Sequence, residues 1–218
     1  MNDVGNDAAT ALPGRTGVVG GGRMGAGIAH ALLLAGSEVV LVEAAEDAVG
    51  AARARVVDAV RRSAERGGLT GDPDDIVARL TVSTSVDALA GVGLVVEAVP
   101  EDLALKENVF TAVEGVVGAD AVIATNTSSL PITRLAGLLS RPDRAIGLHF
   151  FNPVPASLLV EVVVGGATAP AVTERATGWV RMLGKTPIVV KDSPGFASSR
   201  LGLALGLEAV RMVEEDVA

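Results

Sequence analysis

Cysteine is absent from the 218 residues. The chain therefore has no disulfide, no thiolate metal site and no cysteine nucleophile, and it suits a reducing setting such as the cytoplasm. A basic excess is missing too: 18 Lys and Arg stand against 26 Asp and Glu, for a formal net charge of -8. Neutralising nucleic-acid phosphates takes a basic face in excess, so no nucleic-acid partner is expected. Long hydrophobic runs are lacking as well. Charge or glycine interrupts every apolar stretch well short of the about 18 residues that a membrane crossing needs, so no membrane partner is expected. The polar, acidic start has no basic flank ahead of an apolar run and does not read as a secretory signal, and residues 1–13 are expected as a loose tail. No metal site is expected. Hydrophobic residues make up 49% of the chain, which is enough to bury the core of a large domain.

Within that composition, apolar runs of strand length alternate with longer helical stretches. The runs are Thr16–Val19, Glu38–Val42, Leu94–Val96, Ala121–Ala124, Ala145–Leu148, Leu158–Val164 and Pro187–Val190. They are continuous rather than alternating, as in strands buried on both faces, so they predict an α/β fold with a doubly wound, mostly parallel sheet. Periodicity predicts helices over Met24–Ala35, Asp47–Arg66, Leu103–Val117 and Thr168–Leu183. Asp192-Ser193-Pro194-Gly195 breaks the last strand and separates residues 14–192 from 193–218. From Phe196 onward a helix is predicted, with Leu201, Leu203, Leu205, Leu207, Val210, Met212 and Val213 on nearly every side. A helix apolar all round is expected to be buried.

Gly20-Gly21-Gly22-Arg23-Met24-Gly25 gives G-x-G-x-x-G between the first strand and the first helix. That context makes the motif a dinucleotide-binding turn formed by Gly20, Gly22, Met24 and Gly25. Gly20 permits the tight turn, Gly22 lets a pyrophosphate approach the backbone, and Gly25 lets helix and strand pack closely, while the helix N-terminus offers N–H donors. Glu43 ends the second strand 23 positions after Gly20. A carboxylate there would bond ribose hydroxyls and repel a 2′-phosphate, which points to NAD rather than NADP.

His149 is one of two histidines, and Glu161 follows it by twelve positions across a turn that contains Phe150, Phe151, Asn152 and Pro153. Behind a complete dinucleotide motif, that pair suggests hydride transfer, because oxidising an alcohol also needs a base that titrates near neutrality. Five ordered segments, VVGGGRMGAGIA, VVEAVPEDLALK, NTSSL, HFFNPVPASLLVEV and KDSPGFASSR, resemble the L-3-hydroxyacyl-CoA dehydrogenase family, which includes 3-hydroxybutyryl-CoA dehydrogenases. The resemblance runs from about Gly14 to the end.

It implies NAD-dependent oxidation of an L-3-hydroxyacyl-CoA, with His149 as general base and Glu161 orienting its imidazole. It implies that the Ser128 hydroxyl bonds the substrate oxygen and that Ser128 and Asn152 lie near the nicotinamide. Glu101 and Lys106 match cofactor contacts, although Glu101 also suits a helix N-terminus and Lys106 a solvated face. Arg53, Arg55, Arg61, Arg62 and Arg66 crowd one predicted helix. The resemblance offers the region, Arg62 and Arg66 above all, to the phosphates of coenzyme A, and a solvated face paired with Asp58 and Glu65 is the alternative. Two departures stand out. Ser199 occupies a position where the family usually has a substrate-holding asparagine, and of the family's helical C-terminal domain, which closes the cleft and forms a homodimer, only the first helix is expected here. A dehydrogenase of carrier-bound or free 3-hydroxy acids, and a non-catalytic NAD-binding protein, stay open as alternatives.

Overall fold

The computed structural model describes residues 11–69 and 71–218, and the expected loose tail lies outside them as far as Thr10. From Ala11 the chain is docked rather than loose. The Trp179 indole N–H donates to the Ala11 carbonyl at 2.9 Å, the Ser37 hydroxyl donates to the Pro13 carbonyl at 2.6 Å, and Leu12 packs on the core.

The described elements run β1 (Arg15–Val19), α1 (Arg23–Leu34), β2 (Glu38–Val42), α2 (Glu46–Glu65), α3 (Pro73–Ala78), β3 (Leu80–Ser83), β4 (Leu94–Glu97), α4 (Leu103–Glu114), β5 (Val122–Thr125), α5 (Ile132–Ala136), β6 (Ala145–Phe150), β7 (Leu159–Val164), α6 (Pro170–Met182), β8 (Thr186–Lys191) and α7 (Ser198–Glu214). The strands form one eight-stranded sheet in the order β3-β2-β1-β4-β5-β6-β7-β8. Every pairing is parallel except β6 with β7. This is the doubly wound Rossmann-type arrangement, and the order reverses between β1 and β4, where such sheets open a crevice for ligands.

The continuous apolar runs are explained by two cores. Val18, Leu41, Val96 and Ala124 point into one, under α1, α2 and α6, whereas Val19, Val40, Val95 and Ile123 point into the other, under α4 and α5. Successive strand residues face opposite sides of a sheet, so both must be apolar when both faces are covered. The helices present apolar stripes at matching periods, Ala52, Val56 and Val60 on α2 and Val172, Ala176 and Val180 on α6.

Three short elements, α3, β3 and α5, escape periodicity. Asp72 caps α3, accepting from the Asp74 N–H at 2.9 Å with Pro73 in the first turn, which is a cap signal on a helix of one and a half turns. The expected burial of the last helix is not what the structure shows. No residue of α7 is buried, and Leu203 and Leu205 are 68% and 72% exposed, because no other described element covers its length.

Candidate active site

At the end of β1, Gly20 has φ of +94°, and its N–H donates to the Val42 carbonyl at 2.8 Å. The turn carries the chain into α1 so tightly that a Cβ on Gly25 would lie 1.8 Å from the Gly20 carbonyl oxygen. Gly22, by contrast, has no atom of the described residues within 4 Å of where its Cβ would stand. Among the described residues no side chain caps α1, and its N-terminus borders a crevice of about 780 Å³ lined by Gly20, Gly22, Met24, Glu43, Val99 and Leu105 among others. Uncapped helix donors beside open space suit the pyrophosphate of a dinucleotide. The Glu43 carboxylate stands at this crevice, accepting from the Gly21 N–H at 2.8 Å and the Ala44 N–H at 3.2 Å.

Across the switch point, the ends of β4 and β5 meet in a buried polar network. Glu97, wholly buried, accepts from Lys106 Nζ at 2.7 Å, the Val99 N–H at 2.6 Å and the Thr125 hydroxyl at 2.6 Å. Lys106 is also fully buried, and its ammonium reaches the Val99 carbonyl at 3.1 Å and Glu101 Oε2 at 3.4 Å. It is therefore neither on a solvated face nor free to project into the crevice. Glu101 in turn accepts from the Thr127 hydroxyl, the Ser128 N–H at 3.0 Å and the Ser129 hydroxyl at 3.2 Å. Burial acts to raise the Glu101 carboxyl. The hydrogen bonds from Thr127, Ser128 and Ser129, with the charge of Lys106, outweigh it and hold the group below the usual carboxylate range. Glu101 thus pins the loop that presents Ser128.

The antiparallel pairing of β6 and β7 sets His149 directly opposite Glu161. His149 Nδ1 lies 2.7 Å from Glu161 Oε2, and both residues are buried. Among the described residues Nε2 has no hydrogen-bond partner. Phe151 and Phe196 flank the imidazole, with ring centroids 4.4 and 5.8 Å away. Glu161 Oε1 accepts from the N–H groups of Ala197 and Ser198 at 3.0 and 2.8 Å, and Oε2 also accepts from the Ser198 hydroxyl at 2.9 Å. Burial would raise the Glu161 carboxyl, yet the bonds from His149, Ser198 and Ala197 prevail and keep it low, so it stands ionised at neutral pH. Asn126 ties the Ser128 loop to this strand, accepting from the Phe150 N–H at 2.8 Å.

Ser128 and Ser199 come together in a second cleft of about 520 Å³, walled by Arg200, Leu203 and Leu207 of α7. Asn152 is exposed in the turn after β6. The arginines of α2 divide. Arg55 donates to the Gly21 carbonyl at 3.1 Å and lines the dinucleotide crevice, and Arg53 donates to the Leu80 carbonyl at 3.2 Å. Arg62 and Arg66 are exposed and are not among the residues that line either cleft.

Residues 15–193 match the family described as 3-hydroxyacyl-CoA dehydrogenase, NAD binding domain. The chain belongs to this family. It is 42% identical over 209 residues to a 3-hydroxybutyryl-CoA dehydrogenase of Mycobacterium tuberculosis, covering 94% of this chain and 72% of that one. It is 40% identical over 205 residues to the mitochondrial hydroxyacyl-coenzyme A dehydrogenase of Rattus norvegicus, covering 90% and 65%. The crystal structure of (S)-3-hydroxybutyryl-CoA dehydrogenase from Ralstonia eutropha superposes with a TM-score of 0.90 at 40% identity, covering 94% of this chain and 73% of that one. The fold is therefore that of the dehydrogenase family, with its NAD-binding domain. Sequence reasoning missed Glu97, Thr125, Asn126 and Ser198. An acid ending an otherwise apolar strand was the available signal for Glu97, and nothing local marked Ser198.

Proposed function

We propose that this chain catalyses the reversible NAD-dependent oxidation of an L-3-hydroxyacyl-CoA to the 3-ketoacyl-CoA. The observation that carries the reading is the His149–Glu161 pair, whose Nε2, without a partner among the described residues, lies at the same carboxyl edge of the sheet as the α1 crevice. Family membership and the names of its relatives support the substrate class.

When bound, NAD supplies the two-electron acceptor for the hydrogen on the carbinol carbon. The α1 N-terminus, Gly22 and Glu43 are the groups that would hold it. Because ionised Glu161 accepts a hydrogen bond from the His149 Nδ1–H, the lone pair belongs to Nε2, which removes the hydroxyl proton as the carbonyl forms. Glu161 then offsets the charge left on the imidazolium, as the carboxylate of a serine-protease triad does. Ser128, its backbone fixed by Glu101, offers a hydroxyl to the same substrate oxygen. Ser199 lines that cleft with a shorter group than an amide, so its hold on the thioester carbonyl is weaker or runs through water. Arg62 and Arg66, exposed on α2, are the cations offered to the phosphates of coenzyme A. Asn152 adds a polar contact near the nicotinamide. A homodimer, formed where the helical domain is complete, and a cytoplasmic setting complete the proposal.

Replacement of His149 by Gln tests it. With acetoacetyl-CoA and NADH, turnover falls by roughly 10²–10⁴-fold while NAD affinity in calorimetry is unchanged. Parental turnover in His149→Gln removes His149 from the mechanism.

A further inference from the structure

We infer that Ser198 is a positioning residue of the catalytic pair, which ties the start of α7 to the carboxylate that orients His149. The inference rests on the proposed role of His149 as base. Its hydroxyl lies 2.9 Å from Glu161 Oε2, the same oxygen that takes the His149 Nδ1–H at 2.7 Å, so two donors share one acceptor. The other carboxylate oxygen is held by two backbone N–H groups of the same segment, from Ala197 and Ser198. The carboxylate therefore has no rotation left that does not break a bond to residues 197–198. The segment itself is constrained: Gly195 and Phe196 both have positive φ, +74° and +48°, and the buried Phe196 ring edges onto the imidazole. Among the described residues no other charged side chain bonds to the pair. Asp192 is engaged by Thr133, and Arg200 donates to the Pro194 carbonyl.

The consequence is specific to the hydroxyl. Backbone donors on Oε1 keep the carboxylate in place whatever residue 198 is, whereas the Ser198 Oγ–H draws electron density from Oε2 and fixes the line along which Nδ1–H approaches. A low-field proton NMR resonance from His149 Nδ1–H reads this directly. His149→Gln assigns it, since the one other histidine, His30, bonds Ser63 through Nε2. In Ser198→Ala the resonance moves downfield as Oε2 turns wholly to His149, and turnover falls by about threefold to tenfold, the scale of one ordinary hydrogen bond, with the KM for NADH unchanged. Ser198→Thr, which keeps the hydroxyl, restores both. In a Glu161→Gln background Ser198→Ala has no further effect. An unmoved resonance in Ser198→Ala, or a moved one with parental turnover, overturns the inference. If His149→Gln retains full turnover, the proposed function falls instead, and the resonance alone then decides whether Ser198 sets the bond.

Discussion

Gly22 and Gly25, three residues apart in the dinucleotide turn, have opposite surroundings, and alanine at each separates packing from ligand binding. On Gly25 a methyl would lie 1.8 Å from the Gly20 carbonyl oxygen and 3.0 Å from its carbon. Ordinary contact is about 3.5 Å, so α1 has to retreat by roughly 1.5 Å or distort the turn. Overpacking of this kind costs about 1–3 kcal/mol. For a chain of this size each kcal/mol lowers the melting temperature by about 2–4 °C, so Gly25→Ala melts roughly 2–12 °C early. Since the displaced helix carries the N–H donors, NAD affinity also falls at least about tenfold, or about 1.4 kcal/mol. On Gly22 the methyl meets none of the described residues within 4 Å, and φ of -63° with ψ of -170° is open to alanine. Gly22→Ala therefore keeps the parental melting temperature within about 2 °C. It nonetheless loses NAD affinity about tenfold or more, because the methyl fills the approach that the backbone leaves for a pyrophosphate. Differential scanning calorimetry and isothermal titration measure the two effects separately. Parental NAD affinity in Gly22→Ala refutes the assignment of that space to the cofactor, and a parental melting temperature in Gly25→Ala refutes the packing argument.

With Glu43 at the crevice, NAD binds at least about tenfold more tightly than NADP, and Glu43→Gln narrows the gap; equal affinities in calorimetry rule out the carboxylate as the discriminator. Lys106→Met strands the wholly buried Glu97 without its cation and destabilises the chain by about 3–5 kcal/mol in urea unfolding, while Lys106→Met with Glu97→Gln recovers a good part of the loss; a neutral single variant contradicts a buried ion pair. His30 is buried, with its pKa lowered to about 4 by burial, then by the charges of Lys185 and Arg62. The unfolded chain therefore takes up a proton near pH 6.5 that the folded chain refuses until about pH 4, so this residue makes stability fall as pH drops through that window. Between pH 7 and 4.5 its share is about 2–3 kcal/mol. His30→Gln, able to keep the Ser63 bond, removes that share, and identical pH dependence of the two proteins in urea unfolding counts against it.

The sequence alone determined the features whose causes are local. A tight turn, a phosphate approach and a close helix packing need glycine at fixed offsets, so Gly20, Gly22 and Gly25 announce the crevice wherever a strand and a helix flank them. Strands covered on both faces must be apolar at every position, so the sheet was legible as well. His149 and Glu161 were legible through their types and spacing, although only the antiparallel register of β6 and β7 makes them partners. Other features depended on which chain ends converge. Lys106 reads as a surface lysine on a helix, yet the ends of β4 and β5 bring Glu97, Val99 and Glu101 around its ammonium and bury it. Arg55 reads as one of five similar arginines, and the packing of α2 beside the glycine turn singles it out. Ser198 lies 37 residues from Glu161, and only the Gly195–Phe196 turn directs it onto that carboxylate. The leucines of α7 predict burial by their chemistry, but burial requires an opposing surface, and no described element supplies one along its length. Turn chemistry and strand burial are written within a few residues, whereas shared hydrogen bonds and buried charge pairs arise where distant segments meet, and only the tertiary structure sets that meeting.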